Sequence, residues 1–458
     1  MAADLAGAGD AGRPLESKAD LVAYLAAGEK SPSAFRIGTE HEKFVFRRDD
    51  LRPLPYEGEG GIRWLLERFA ERFDWKVKRE AGLPVALERG GASITLEPGG
   101  QFELSGAPLA TLHDTCREAN RHLAEVKAIT EPAGIGMLGI GVNPKWRLAD
   151  LPRMPKARYD IMTRYMPTRG ALGVDMMYRS ATIQVNLDFA DEADMVKKFR
   201  VGIALQPLAT ALFANSPFTD GAPNGLLSYR SHCWTDTDPD RSGMLPFVFD
   251  AGFGYERYVD YMLDVPMYFV QRGERMIDAS GQSFRDFMAG RLPALPGERP
   301  TLDDWADHLT TAFPEVRLKR FLEMRGADGG PWNMICALPA LWVGLLYDPA
   351  TLDAAWDLCR DWTIEEIAAM RADVPRLGLR APLRDRTLRD VAGEVLDLAE
   401  AGLAARGRAE LDGRDERQHL APLREIVERG ETPAEQKLRL VREEWDGSVD
   451  PIFTRFAY

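Results

Sequence analysis

Residues 36–46, RIGTEHEKFVF, set Glu40, His41, Glu42 and Lys43 inside an otherwise apolar run. Side chains of a strand alternate between its two faces, so Glu40 and Glu42 share one face and His41 and Lys43 the other. Phe44 and Phe46 continue the carboxylate face, so that face runs on into core. Two like charges there repel unless water or a cation neutralises them. A chain built around this strand must therefore either expose one end of it to solvent or assemble a cation site, and this stretch alone fits both.

The rest of the chain tests those readings. A short helix is expected at about residues 15–27 and an amphipathic one in GGIRWLLERFAERF, with Ile62, Leu65, Leu66 and Phe69 on its apolar face. A longer helix over 108–133 carries Leu112, Cys116, Ala119, Leu123 and Val126 at helical spacing, with Gly134 as its stop. ASITLEPGGQFELS reads as strand, break, strand, with Gly99 and Gly100 allowing close backbone approach. MLGIGVNP is a strand, and SATIQVNLDF is another, with Ile183, Val185, Leu187 and Phe189 facing opposite Thr182, Gln184, Asn186 and Asp188. A helix opens near Asp191, residues 314–326 read as one strand, and the chain is almost wholly helical from 331 to 458. Residues 1–14 read as a flexible lead-in and 15–458 as one large domain, strand-rich to about residue 330. Strands scattered among helices, without repeated βαβ units, favour an α+β fold on an antiparallel sheet.

Several function classes drop out. GIGMLG fits GxGxxG, but a helix precedes it and a strand follows, the reverse of a dinucleotide fingerprint. There is no P-loop motif, no HExxH and no GxSxG. A net charge of −13 argues against nucleic acid or an anionic membrane as the main partner. MICALPALWVGLLY is short and holds Pro339, which suits a core helix better than a membrane span. Cys116, Cys233, Cys336 and Cys359 form no CxxC pair and read as buried free thiols. With no basic or strongly apolar N-terminal segment, the expected location is the cytoplasm.

What remains is carboxylate chemistry. Glu97 and Glu103 in LEPGGQFELSG, and Glu323 in RFLEMRGADGG, also sit among apolar neighbours. Five carboxylates from three strand-like segments suit a hard divalent cation such as Mg²⁺. Thr182, Gln184 and Asn186 give one strand a polar face that suits a ligand cleft or, equally, solvent. Arg158, Arg179, Arg230 and Arg325 stand near the expected cleft edges, where a guanidinium can grip carboxylate or phosphate. Together these point to phosphoryl transfer without a P-loop.

The segments GTEHEKF, LEPGGQFELSGAP, PKARYDIM, NLDFADEADM, LFANSPFTDG, SHCWTDTDPDRSGMLPFVFD, DVPMYF, FPEVRLKRFLEMRGADGGPW and ALPALWVGLLYD together resemble glutamate–cysteine ligases of the plant and proteobacterial type, from about residue 15 to the C-terminus. The resemblance implies a glutamine-synthetase-like curved antiparallel sheet flanked by helices. It implies ATP-dependent joining of the γ-carboxyl of L-glutamate to the amine of L-cysteine through an acyl phosphate, the first step of glutathione synthesis. It makes Glu40, Glu42, Glu97, Glu103 and Glu323 ligands for two or three Mg²⁺ ions, for which Mn²⁺ can substitute. It puts Arg325 on the transferred phosphate, and Arg158 and Arg230 on substrate carboxylate or phosphate. Lys43, Gln184 and Asn186 become nucleotide or glutamate contacts, and Arg179 and Thr182 further substrate contacts. Feedback by glutathione and a monomeric or homodimeric state are expected with it. Plant members carry a redox cysteine pair where this chain has Ala279 and Ala294, so that switch is not expected here. The competing readings are a sibling ligase with another acceptor amine, a phosphotransferase on the same sheet, and a non-catalytic binding protein.

Overall fold

The computed structural model describes residues 12–458. Most of the expected lead-in at 1–14 lies outside the described residues. Pro14 already bridges to Thr301, and the Leu15 amide donates to the Pro300 carbonyl at 2.7 Å.

The main sheet has nine strands. They are β1 (Ile37–Arg47), β2 (Lys76–Glu80), β3 (Leu83–Arg89), β4 (Ala92–Leu96), β5 (Phe102–Ser105), β6 (Ile135–Leu138), β7 (Ile183–Leu187), β8 (Val316–Leu318) and β9 (Leu322–Met324). The order is β8-β9-β7-β1-β5-β4-β3-β2, with β6 also paired to β1. Every pairing is antiparallel. This is the expected α+β class, with helices flanking the sheet and a helical C-terminal part.

The helices α1 (Lys18–Ala26), α2 (Ile62–Phe73), α3 (Leu112–Thr130) and α4 (Glu192–Leu212) lie at the expected places, and α5 (Trp332–Leu346) and α6 (Leu388–Arg406) fall in the helical stretch expected from residue 331. Ile62, Leu65, Leu66 and Phe69 of α2 are all buried, as their spacing requires. Asp191 caps α4 by accepting from the Asp194 amide, which satisfies one of the open N–H groups of the first turn. The strand expected from MLGIGVNP begins two residues earlier, at Ile135, and ends at Leu138.

Residues 314–326 depart from the expectation of one strand. They form a hairpin in which Arg317 pairs with Glu323 and Leu318 with Leu322. The reversal falls in Lys319-Arg320-Phe321, which holds no Gly, Pro, Asn or Asp to announce it. The fold-back puts Arg317 and Glu323 side by side on one face.

Register divides the sheet into two chemically different faces. On one, His41 and Lys43 lie opposite Leu104 and Phe102, which lie opposite Ile94 and Leu96. Helices α2 and α3 cover this side, with Phe69 and His122 against Phe102. Ile183, Val185 and Leu187 continue it into a larger core shared with α4, α5 and α6. The other face carries the polar residues, and β1 closes it at one end, where Phe44 packs on Trp146 and Phe46 on Phe453.

Two of the four cysteines are not free. Cys116 of α3 and Cys336 of α5 are joined by a disulfide, with Cα atoms 5.7 Å apart, while Cys233 and Cys359 are free and buried. The helices pack side by side, and a sequence separation of 220 residues hides that proximity. No single helix among the described residues is long and apolar enough to cross a membrane.

Candidate active site

The polar face of the sheet floors a cavity of about 910 Å³. Glu42 and Glu103 are direct cross-strand partners, and Glu40 lies opposite Gln184 on one side and Ser105 on the other. Like charges directly opposite one another in a sheet destabilise it unless they are neutralised. Glu97 joins them from the turn after β4, where its carbonyl accepts from the Gly100 amide at 2.9 Å. Gly100 holds φ at +82°, which favours glycine, and a Cβ on Gly99 would lie 2.3 Å from the Tyr178 carbonyl oxygen. The two glycines therefore let the Glu97 turn press against the chain at Tyr178.

The electrostatics are those of acids held too close. Burial, with the charges of Glu323 and Glu103, pushes Glu40 up to about 7. Burial and the charges of Glu97 and Glu103 push Glu42 well above the usual carboxylate range, with Arg230 working against them. Glu103 is raised by burial and by Glu97, although Thr95 and Ser105 both donate to it. This cluster of oxygen ligands, short of positive charge, fits a hard divalent cation.

Glu323 is treated differently. It is fully buried, and it does not line the cavity surface. Against the upward push of burial, Arg317, Lys319 and Arg325 hold it well below the usual range. Arg317 bonds it through Nη2 at 2.7 Å, Lys319 Nζ lies at 2.8 Å, and Arg325 joins as a third partner. Arg325 also donates to Gln184 Oε1 at 2.7 Å, which aims both residues at the cavity.

The opposite wall is cationic. Arg230 is buried and gives one Nη2 bond to the Arg325 carbonyl at 2.9 Å, while its Nε and Nη1 have no partner. Buried polar atoms are normally satisfied, so these two donors are ready for an anionic ligand. Arg158 also lines the cavity with an unpartnered Nε, its guanidinium 5.4 Å from the Phe269 ring centre. Asp328 sets the Arg230 helix. It accepts from Ser216 Oγ at 2.6 Å and Ser228 Oγ at 2.8 Å, and Ser216 Oγ accepts from the Arg230 amide at 3.1 Å.

Thr182 lines the cavity and donates from its amide to Glu42 at 3.0 Å. Asn186 donates to Glu40 Oε1 at 2.8 Å and so braces a carboxylate. Two expected contacts lie elsewhere. Lys43 is fully buried behind the sheet, with Nζ 2.8 Å from His41 Nδ1, because it shares the helix-covered face. Arg179 spends its guanidinium on Asp175 at 3.2 Å, Asp220 at 2.7 Å and the Trp146 carbonyl at 3.2 Å, and does not line the cavity.

Among the cavity residues that escaped sequence reasoning are Arg317, Lys319 and Lys156. Arg317 and Lys319 alternate in VRLK, a signal hidden by the undetected hairpin. Lys156, in PKARYDIM, is half-buried and donates to the Leu96 carbonyl at 2.7 Å. Burial pulls its pKa down to about 8 against the pull of Glu97.

The antiparallel sheet with its acid-floored cleft is of the glutamine-synthetase-like fold class. A crystal structure of glutamate–cysteine ligase from Francisella tularensis in complex with AMP shares the fold, with a TM-score of 0.53 at 14% identity over 92% of this chain and 88% of that one. The model of glutamate–cysteine ligase family 2 matches residues 36–455. The chloroplastic glutamate–cysteine ligases of Arabidopsis thaliana and Medicago truncatula are 59% and 58% identical over 96% of this chain, covering 83% and 85% of their own lengths. That of Nicotiana tabacum is 59% identical over 98% of this chain and 84% of its own length. The chain belongs to glutamate–cysteine ligase family 2, and is a ligase of the step that starts glutathione synthesis. The names of these relatives overturn the cytoplasmic location expected from the N-terminal sequence, which carries no weight against them.

Proposed function

We propose that the chain couples ATP cleavage to amide formation at this cleft. A γ-carboxylate oxygen of L-glutamate attacks the γ-phosphorus of ATP, and the bond to the β-phosphate oxygen breaks to release ADP. The L-cysteine amine then attacks the carbonyl carbon of γ-glutamyl phosphate, and the carbon–oxygen bond to phosphate breaks. The observation that carries this reading is one cavity in which four carboxylates, Glu40, Glu42, Glu97 and Glu103, face buried guanidinium donors left unpaired on Arg230.

Two anions must meet in the first step, so their repulsion has to be offset. Glu40, Glu42, Glu97 and Glu103 are the residues that would hold Mg²⁺, two or three ions in all, or Mn²⁺ in their place. Glu323 joins them when its ion pairs open. Bound there, the metal would neutralise phosphate charge. Arg325, released from Glu323, turns to the transferred phosphoryl group, and Gln184 steers it. Arg230 and Arg158 grip substrate carboxylate or phosphate bidentately. Thr182 and Asn186 keep Glu42 and Glu40 in place. The apolar rings of Tyr159, Trp234, Phe269 and Phe313 around the cavity limit water, which protects an acyl phosphate from hydrolysis.

Hydroxylamine trapping tests the intermediate. With Mg-ATP and L-glutamate but no cysteine, hydroxylamine should give γ-glutamyl hydroxamate with stoichiometric ADP. ADP formed without hydroxamate would rule out the acyl phosphate.

A further inference from the structure

Away from the cleft, α3, α5 and the segment Glu416–Leu420 meet around the Cys116–Cys336 pair. Three donor atoms, the two sulfurs and one nitrogen of His419, lie within 4.8 Å of one another. His419 Nδ1 points at Cys116 Sγ from 3.6 Å, and its other nitrogen lies 3.4 Å from His113 Nδ1. Glu410 Oε1 stands 3.9 Å from that same His113 nitrogen. None of these residues lines the catalytic cavity. We propose that, once its disulfide is reduced, this cluster is a site for a thiophilic divalent cation of the Zn²⁺ class, bound by Cys116, Cys336 and His419.

The donor set is that of zinc: two thiolates and an imidazole, with water as the fourth ligand. Metal-ligating histidines almost always engage their second nitrogen, which fixes the ring. Here His419 does so toward His113. Cys116 and Cys336 are 5% and 2% exposed, which shields a metal from bulk water. In a tetrahedral site with Zn–S near 2.3 Å the sulfurs sit about 3.8 Å apart, a separation that side-chain rotation supplies once they are no longer bonded. The chemistry balances with a phosphine as reductant. The disulfide accepts two electrons, the phosphine becomes its oxide with oxygen from water, and two thiols form. Metal binding then releases their two protons.

The test uses Co²⁺ as probe, with Mg²⁺ in excess to occupy the oxygen-ligand cleft. Phosphine-reduced, metal-free protein should take up one equivalent of Co²⁺ with thiolate-to-metal charge-transfer absorption, and Zn²⁺ should displace it one for one. Oxidised protein should show no such band. The band should vanish in C116S and in C336S, and affinity should fall at least ~10-fold in H419A. No thiolate band in the reduced wild type, a band of equal strength in the oxidised protein, or one unchanged by H419A would each overturn the proposal. The oxidised control needs no variant to fold.

Discussion

Glu103→Gln separates the demands of stability from those of catalysis. Glu103 lies directly opposite Glu42 across β1 and β5. At a cross-strand separation of about 5 Å and an effective dielectric of about 20, two full charges repel by about 3 kcal/mol, an upper figure because protonation relieves part of it. Thr95 and Ser105 bond different oxygens of Glu103, so the glutamine oxygen keeps one of the two donors, and the other hydroxyl can rotate to accept from the amide. Metal-free E103Q should therefore be as stable as the wild type or more so, by up to about 3 kcal/mol at alkaline pH. An unfolding entropy of about 2.1 cal/mol/K per residue over 458 residues makes that about 3 °C in Tm. Adding Mg²⁺ should reverse the ranking, because the wild type gains stability from the ion and E103Q loses most of that gain. Activity should fall at least ~100-fold, the scale of removing a charged group from a phosphoryl-transfer centre. Scanning fluorimetry with and without Mg²⁺ reads both signs. A metal-free E103Q that melts well below the wild type would refute the account of Glu103 as a repelled carboxylate awaiting a cation.

Further outcomes follow from other parts of the molecule. Arg230→Lys keeps a charge but loses the planar fork, and should lower kcat/KM by about 10²–10³ while leaving Tm nearly unchanged, as steady-state kinetics would show. Gly99→Ala puts a Cβ against the Tyr178 carbonyl and so displaces the Glu97 turn; Mg²⁺ titration of activity should show its midpoint moved to higher Mg²⁺, with a stability loss of about 1–3 kcal/mol. His308 is buried, bonded to the Met262 carbonyl at 2.8 Å, and burial lowers its pKa from 6.5 to about 4. A depressed histidine favours folding fully above its unfolded pKa and loses that contribution as pH falls. About 3 kcal/mol should therefore disappear between pH 6.5 and 4, a slope that denaturant titrations of H308Q should show flattened. Reducing the Cys116–Cys336 disulfide, which closes a 220-residue span, should cost about 2–4 kcal/mol in the metal-free protein, read by melting with and without reductant.

The parts of the fold legible in sequence are those with strict periodicity. The α2 face and the alternation of β7 each specify which side is buried, because a shift of one residue would put a whole apolar row into water. The carboxylates are legible for a related reason: Glu40, Glu42 and Glu103 stand in apolar strands, and Glu97 directly after one, where a charge has no local reason to be. The parts that stayed hidden depend on contacts between distant segments. Lys43 looks available in sequence, yet β5 pairing commits it to the helix-covered face beside Phe102. Arg179 is drawn into ion pairs by Asp220, which nothing local signals. The hairpin at Lys319-Arg320-Phe321 turns without turn-forming residues, and it brings Arg317 and Lys319 onto Glu323. Cys116 and Cys336 become neighbours only when α3 packs on α5.

The most direct test of the central claim is mass spectrometry of the products formed from Mg-ATP, L-glutamate and L-cysteine, with a control lacking cysteine. The account predicts γ-glutamylcysteine and ADP in equal amounts, with no dipeptide in the control. Folded, ATP-binding protein that yields no ADP, or ADP without that dipeptide, would contradict it.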